Sequence, residues 1–185
     1  VSRRLSALRT FYRFALSRGL VRKDPARAVL PPKKDKPLPQ FLKEKEADQL
    51  LDGPTARSDA FKDVRIHTIL MVFYETGIRL SELTGLDDSD VSLSARQLKV
   101  TGKRNKQRVI PFGDELASTL ARYMDIRNRS VVRYDKALFV TPKGQRMNAN
   151  QVRNEVKKQI SLVSSLKKRT PHVLRHTFAT AMLNH

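Results

Sequence analysis

The stretch PPKKDKPLP, residues 31 to 39, restricts the possible folds of this chain more than any other part of the sequence. It places four prolines among three lysines. Because proline fixes φ and has no backbone N–H, neither a helix nor a strand runs easily through such a segment. We therefore predict a stiff, positively charged linker at residues 31–40, which separates a short N-terminal part from a much larger C-terminal part.

The N-terminal part is predicted to contain one amphipathic helix over residues 2–19 that ends at Gly19. Asp24 and Pro25 are then typical of a helix cap that opens a short turn. A single helix cannot bury its own apolar stripe. That stripe is formed by Leu5, Leu8, Tyr12, Ala15 and Leu16.

The C-terminal part is predicted to be mainly α with a small antiparallel β-sheet. Its apolar periodicity indicates helices near residues 43–52, 60–76, 81–86, 114–128 and 149–165, and another from Pro171 onward. The helix over residues 60–76 is the most apolar and is predicted to form the core. Residues 97–111, which are β-branched and apolar on both sides of Gly-Lys-Arg-Asn, are predicted to form a hairpin.

The charge of the chain indicates a polyanionic partner. Lysine and arginine number 37 against 18 acids, giving a net charge of +19. A folded chain this small with that charge repels itself, so nucleic acid is the favoured partner. A membrane-surface protein would need one concentrated amphipathic anchor, whereas the charge here is spread along the chain. We expect no membrane association, and the absence of cysteine fits a reducing cytoplasm.

The segment PHVLRHTFAT, residues 171–180, is the first candidate for chemistry. His172 and His176 have the spacing of some zinc ligands, but no third ligand or glutamate base is visible nearby. We therefore predict no metal, and the alternative of a capped helix start stays open. Arg175 lies three residues after His172, and this pair at a helix N-terminus favours an anion such as a phosphate.

Two further candidates lie in YETGIRLSEL, residues 74–83, and at the tip of the predicted hairpin. Arg79 stands three residues before Glu82, which could orient it, although an isolated pair at this spacing is usually an ordinary surface ion pair. Lys103 lies at the hairpin tip, where a lysine is usually just solvated. Neither signal is specific when taken alone.

Taken together and in this order, TGIRLSEL, VTGKRNKQRVIPF and HVLRHTFAT resemble the tyrosine recombinase (phage integrase) family, most closely its bacterial Xer-type members. By this resemblance Arg79, Lys103, His172 and Arg175 occupy the catalytic positions, with Glu82 in support. Residues 1–30 resemble the C-terminal part of the helical, SAM-like core-binding domain, residues 31–40 the interdomain linker, and residues 41–185 the catalytic domain.

The resemblance implies a site-specific recombinase or integrase that breaks and rejoins DNA strands through a 3′-phosphotyrosyl intermediate, without cofactor, metal or ATP. The partner would be a specific double-stranded DNA site, bound by a homo- or hetero-tetramer on two such sites. A type IB topoisomerase and a non-catalytic DNA-binding fragment are the alternatives. The residues expected to contact DNA are Arg3, Arg4, Lys33, Lys34, Lys36, Arg104, Lys106 and Arg108.

Two positions depart from the family pattern. Arg104 stands where Xer-type members often have a glycine after the hairpin lysine, which puts the loop's shape in question. The family's nucleophilic tyrosine follows the H-x-x-R box, whereas all four tyrosines of this chain precede His172. We therefore expect the catalytic domain to be truncated before its nucleophile and the chain to be inactive alone.

Overall fold

The structure of the protein is a computed structural model, and it describes residues 2–31, 40–167 and 169–184. The chain divides into two compact units, residues 1–38 and 39–185. Most of the predicted linker, including Lys33, Lys34 and Lys36, lies outside the described residues.

The N-terminal unit consists of one helix and a turn. Helix α1 spans Ser2–Ser17, and Gly19 follows it with a φ of 68°. Asp24 caps the turn by accepting a hydrogen bond from the Ala26 N–H at 2.9 Å. Arg9 donates to the carbonyls of Ala26 and Val29 at 3.2 and 2.7 Å, and so ties the turn to the helix. The predicted helix and turn are confirmed.

The larger unit contains seven described helices and one three-stranded antiparallel sheet of order β1-β2-β3. The helices are α2 Glu44–Leu51, α3 Pro54–Arg57, α4 Phe61–Thr76, α5 Leu80–Thr84, α6 Asp114–Ser130, α7 Ala149–Val163 and α8 Pro171–Asn184. The strands are β1 Val91–Ser92, β2 Gln97–Thr101 and β3 Gln107–Pro111. The predicted fold class is confirmed. Helix α3 and strand β1 were not predicted, because four and two residues are too few to display a period.

Helix α4 is the centre of the core, as predicted. Ten consecutive residues, 64–73, are buried. The helix packs against both α6 and α8. It ends at Gly77, whose φ of 56° is left-handed and stops the helix.

No helix within the described residues is long and apolar enough to span a bilayer.

A buried arginine ties helix α6 to the segment before the sheet. Arg127 is fully buried, and its guanidinium donates to both carboxylate oxygens of Asp88, at 2.7 and 3.0 Å, and to the Leu138 carbonyl at 2.7 Å. A buried cation is tolerable only when it is paired and hydrogen-bonded in this way. The contact holds the buried residues 137–140 against α6.

The start of the larger unit is fastened to helix α8 by one buried hydroxyl. The Leu42 N–H donates to Thr177 Oγ1 at 3.0 Å, and the same hydroxyl donates to the Val173 carbonyl at 2.9 Å. Because Leu42 and Thr177 are both buried, this N–H depends on the hydroxyl for its hydrogen bond.

We expect Thr177→Val to lower the free energy of unfolding by about 1 to 3 kcal/mol, because a buried N–H loses its acceptor while the side-chain shape is kept. Chemical denaturation of the whole chain measures this. Thr180→Val is the matched control, since Thr180 is more exposed and its hydroxyl donates to the His176 carbonyl within the same helix turn. It should change that free energy by less than about 0.5 kcal/mol. Equal losses in the two variants would contradict the prediction.

Candidate active site

A pocket of about 100 Å³ collects side chains from three distant parts of the chain. Arg79 enters from the start of α5, Arg153 from α7, and His172 and Arg175 from α8. The remaining lining residues are Ile78, Leu80, Thr170 and Pro171, so no acid of the described residues lines the pocket. A pocket with three guanidinium groups and no carboxylate attracts an anion.

Arg79 is held by Glu82, one turn later in α5. Arg79 Nη1 donates to Glu82 Oε1 at 2.9 Å, and the Arg79 backbone N–H donates to Oε2 at 2.7 Å. The Arg79 side chain is 57% exposed, whereas that of Glu82 is 1% exposed. This is not the ordinary surface ion pair that the spacing alone suggests. The buried carboxylate fixes one edge of an exposed guanidinium.

A second arginine binds the same carboxylate. Arg108 of β3 donates through Nη1 to Glu82 Oε1 and through Nη2 to Oε2, both at 2.9 Å. Burial alone would raise the pKa of Glu82, but hydrogen bonds from Arg108 and Arg79 outweigh it and bring that pKa to about 2. The carboxylate is therefore ionised throughout the physiological range.

Arg175 is held by the backbone at the end of α4. Its Nη1 donates to the Gly77 carbonyl. Helix α8 approaches so closely here that a Cβ at Gly77 would lie 2.6 Å from Cδ1 of Phe178. A glycine at this position therefore both allows the left-handed turn and lets α8 bring Arg175 to the pocket.

The two histidines of α8 are exposed and face different pockets. His172, at the second position of the helix, lines the pocket with Arg79 and Arg175. His176 instead lines a neighbouring pocket of about 410 Å³ with Arg108 and Arg175. Within the described ranges, no group of three or more His, Asp or Glu side chains is arranged to hold a metal ion.

Lys103 lies outside the pocket lining, in the loop that joins β2 to β3. The Gly102 N–H closes this loop by donating to the Lys106 carbonyl at 2.7 Å. Residues Lys103–Asn105 form a tight, non-helical turn, in which Arg104 has φ 62° and Asn105 has φ 59°. The loop thus places Arg104 in the left-handed region that favours glycine.

The structure brings together three of the four residues that the resemblance assigns to catalysis, and it adds one that lies outside the motifs. Arg153 shares the pocket but lies in no motif, and its Nη1 donates to Asn150 Oδ1 at 2.6 Å. Arg108, which is also expected to contact DNA, donates from both terminal nitrogens to Glu82. Of the other residues expected at DNA, Arg3, Arg4, Arg104 and Lys106 are exposed.

Comparison with known proteins matches residues 40–185 to the phage integrase family. "Tyrosine recombinase XerC" of Chlorobaculum tepidum is 38% identical over 205 residues, an alignment that covers 100% of this chain and 61% of that protein. The chain thus spans about three fifths of the length of the curated relatives that it matches.

Two solved structures share the fold. The crystal structure of XerA recombinase has a TM-score of 0.67 and 31% identity, covering 97% of this chain and 59% of that one. The Tn1549 transposon integrase, solved in complex with circular intermediate DNA, has a TM-score of 0.74 and 22% identity, covering 99% of this chain and 66% of that one.

We expect Glu82→Gln to lower the free energy of unfolding at pH 7 by roughly 3 kcal/mol, because lowering the Glu82 pKa from 4.5 to about 2 stabilises the fold by about that amount. A depressed carboxylate pKa contributes above the unfolded value and loses its contribution as pH falls. The difference between the two proteins should therefore shrink between pH 4.5 and 2. Chemical denaturation across this range measures it.

The control for that series is Glu44→Gln, which removes a carboxylate at an exposed position of α2. It should change the free energy of unfolding by less than about 1 kcal/mol at pH 7. A Glu82→Gln deficit that stays constant down to pH 2 would contradict the ionised, hydrogen-bonded state of Glu82.

We expect Arg104→Gly to raise the free energy of unfolding by about 1 kcal/mol, because a residue with a Cβ at φ 62° carries a steric cost that glycine lacks. Arg104→Ala is the matched control, since it removes the same side chain but keeps the Cβ. Thermal or chemical denaturation compares the two variants. Equal stabilities for the glycine and alanine variants would argue against strain at this position.

Proposed function

Because this chain belongs to the phage integrase family, we propose that it is part of a site-specific DNA recombinase that breaks and rejoins strands through a 3′-phosphotyrosyl intermediate. The observation that carries this proposal is the convergence of Arg79, His172 and Arg175 on one pocket that, within the described part of the chain, no acid lines. A scissile phosphodiester is the anion that these groups suit. The curated relatives are named tyrosine recombinases, which favours recombination over the topoisomerase reaction.

In this proposal Arg79 and Arg175 neutralise the charge that builds up on the phosphorus. Attack on a phosphodiester places additional negative charge on the nonbridging oxygens, and guanidinium donors at those oxygens stabilise the transition state. Each arginine already donates one side-chain N–H to a fixed acceptor: Arg79 to Glu82 Oε1, and Arg175 to the Gly77 carbonyl. The two guanidinium groups are therefore oriented before the phosphate arrives, which lowers the reorganisation needed during the reaction.

Proton transfer is assigned to Lys103 and His172. Departure of the 5′ oxygen as an alcohol needs a proton, and the Lys103 ammonium is the proposed general acid. His172 is proposed to assist deprotonation of the attacking tyrosine, because an imidazole moves protons near neutral pH. The phosphotyrosyl bond keeps the energy of the cleaved linkage, so that rejoining needs no ATP.

None of the tyrosines in this sequence is assigned as the nucleophile. Among the described residues no tyrosine lines the pocket. Tyr123 is fully buried, its hydroxyl donates to the Leu138 carbonyl at 2.9 Å, and burial raises its pKa to about 12. We propose that the attacking tyrosine comes from protein outside these 185 residues, either from the same gene product or from a partner subunit.

The proposed partner is double-stranded DNA carrying a specific recombination site, in the cytoplasm, with a tetramer of recombinase subunits on two sites. The net charge of +19 supports a polyanionic partner. The Tn1549 integrase, which shares the fold, was solved on DNA. The proposed DNA contacts are Arg3, Arg4, Lys33, Lys34, Lys36, Arg104, Lys106 and Arg108.

The proposal is tested with the product of the natural gene that contains this sequence, incubated with nicked duplex DNA that traps covalent intermediates. A covalent protein–DNA adduct should form. Arg175→Ala should slow its formation by about 10² to 10³-fold, because one charge-assisted donor to the phosphate is lost. Salt-dependent DNA affinity should stay within about tenfold of the unsubstituted protein, since backbone binding depends on many cations.

Arg129→Ala is the matched control, because Arg129 lies on α6 in an exposed ion pair with Asp125. It should leave both adduct formation and DNA affinity within about twofold, as surface pairs contribute little. No adduct with the unsubstituted protein, or an undiminished rate in Arg175→Ala, would refute the proposed function or the role of Arg175 respectively.

A further inference from the structure

The buried carboxylate of Glu82 joins the Arg79 segment to the sheet. It accepts two hydrogen bonds from Arg79 and two from Arg108, at 2.7 to 2.9 Å. The Arg108 pair is a fork in which each terminal nitrogen meets a different oxygen, a geometry that sets orientation as well as distance. Arg108 lies on β3 opposite Val100 of β2, so its bonds to Glu82 connect the carboxylate directly to the hairpin.

The same carboxylate lies against the start of the hairpin loop. A Cβ placed on Gly102 would be 3.3 Å from Glu82 Oε1 and 3.6 Å from Arg108 Nη1. Lys103 is the next residue along the chain. The backbone from which Lys103 extends therefore begins in contact with the pair that also holds Arg79.

The loop itself is poorly suited to keep its shape without this contact. Both Arg104 and Asn105 have positive φ, at 62° and 59°. Such conformations persist in residues with a Cβ when the surrounding structure fixes them. Two contacts do so here: the Gly102 to Lys106 hydrogen bond across the loop, and the Arg108–Glu82 fork at its base.

We propose that Arg108 is a positioning residue that, through Glu82, sets the place of Lys103 relative to Arg79. This inference rests on the proposed function, because it concerns the general acid of that reaction. The positioning role does not depend on the expected contact of Arg108 with DNA, because the two bonds to Glu82 leave other N–H donors of the guanidinium available.

The chemistry offers a readout that isolates Lys103. During cleavage the tyrosine hydroxyl loses its proton with the assistance of His172, and its oxygen bonds to phosphorus. The bond from phosphorus to the 5′ oxygen breaks, and that oxygen takes the electron pair and the proton of Lys103. With sulfur at the 5′ bridging position, the phosphorus–sulfur bond breaks and the pair stays on sulfur. A thiol has a pKa near 8.5, so the thiolate leaves without a proton. A defect confined to the general acid therefore disappears on the sulfur substrate.

The experiment measures single-turnover adduct formation by the natural gene product on matched oxygen and sulfur substrates. Arg108→Lys keeps the charge but loses the two-nitrogen contact with Glu82, and should lower the rate of adduct formation on the oxygen substrate by about tenfold. Arg108→Gln should lower that rate by about 10²-fold. On the sulfur substrate, both variants should form the adduct at a rate within about threefold of the unsubstituted protein's rate, and so should the reference variant Lys103→Ala. Arg175→Ala should stay slow on both substrates.

Arg96→Lys and Arg96→Gln are the matched controls, because Arg96 lies next to β2 and pairs with Asp114, whose side chain is 84% exposed. They should leave both rates within about twofold. If Arg108→Gln proves unfolded in thermal melts, Arg108→Lys carries the test.

The possible failures are distinguishable. Equal losses on oxygen and sulfur in the Arg108 variants, or no loss on oxygen, would overturn the positioning role while leaving the recombinase function intact. No adduct from the unsubstituted protein on either substrate would overturn the proposed function, and with it this inference.

Discussion

The burial of helix α4 is the constraint on which the candidate site depends. Ten consecutive buried residues leave this helix no freedom to rotate or slide, because a close-packed interior resists shifts of even a methylene's width. The left-handed turn at Gly77 then directs the chain out of the core. At this turn the Gly77 carbonyl accepts a hydrogen bond from Arg175, and Arg79, two residues later, is the N-cap of α5. Both arginines thus take their position from the same buried helix end.

Glu82 converts this geometry into an electrostatic arrangement. Burying the Glu82 carboxylate costs desolvation free energy. In a chain of net charge +19, neighbouring cations can offset that free energy by pairing with the carboxylate. Four hydrogen bonds from two arginines more than offset the cost, which is why the pKa of Glu82 falls to about 2 although burial alone would raise it. The single carboxylate is balanced by two guanidinium groups, so this part of the site keeps a net positive charge.

Local patterns predicted most of the helices, the hairpin and three of the pocket residues, because each of these depends on nearby sequence. Apolar periodicity predicted helices α4 and α6. The motifs around Arg79 and Arg175 predicted that these two side chains belong to the site. The fork between Arg108 and Glu82 could not be predicted, since the residues are 26 positions apart and their contact depends on how the sheet packs on α5. Arg153 was missed for the same reason, because it reaches the pocket only through the packing of α7.

Three arginines around a pocket of about 100 Å³ repel one another, and the structure handles this by giving each one a separate acceptor. Arg79 donates to Glu82, Arg175 to the Gly77 carbonyl, and Arg153 to Asn150. One acceptor orients a guanidinium without exhausting its five N–H donors. Only one of the three acceptors is charged, so the lining still attracts an anion. Each of the three guanidinium groups is nevertheless already oriented by its acceptor. A phosphate that enters therefore relieves repulsion as well as forming hydrogen bonds, and it meets donors that need little rearrangement.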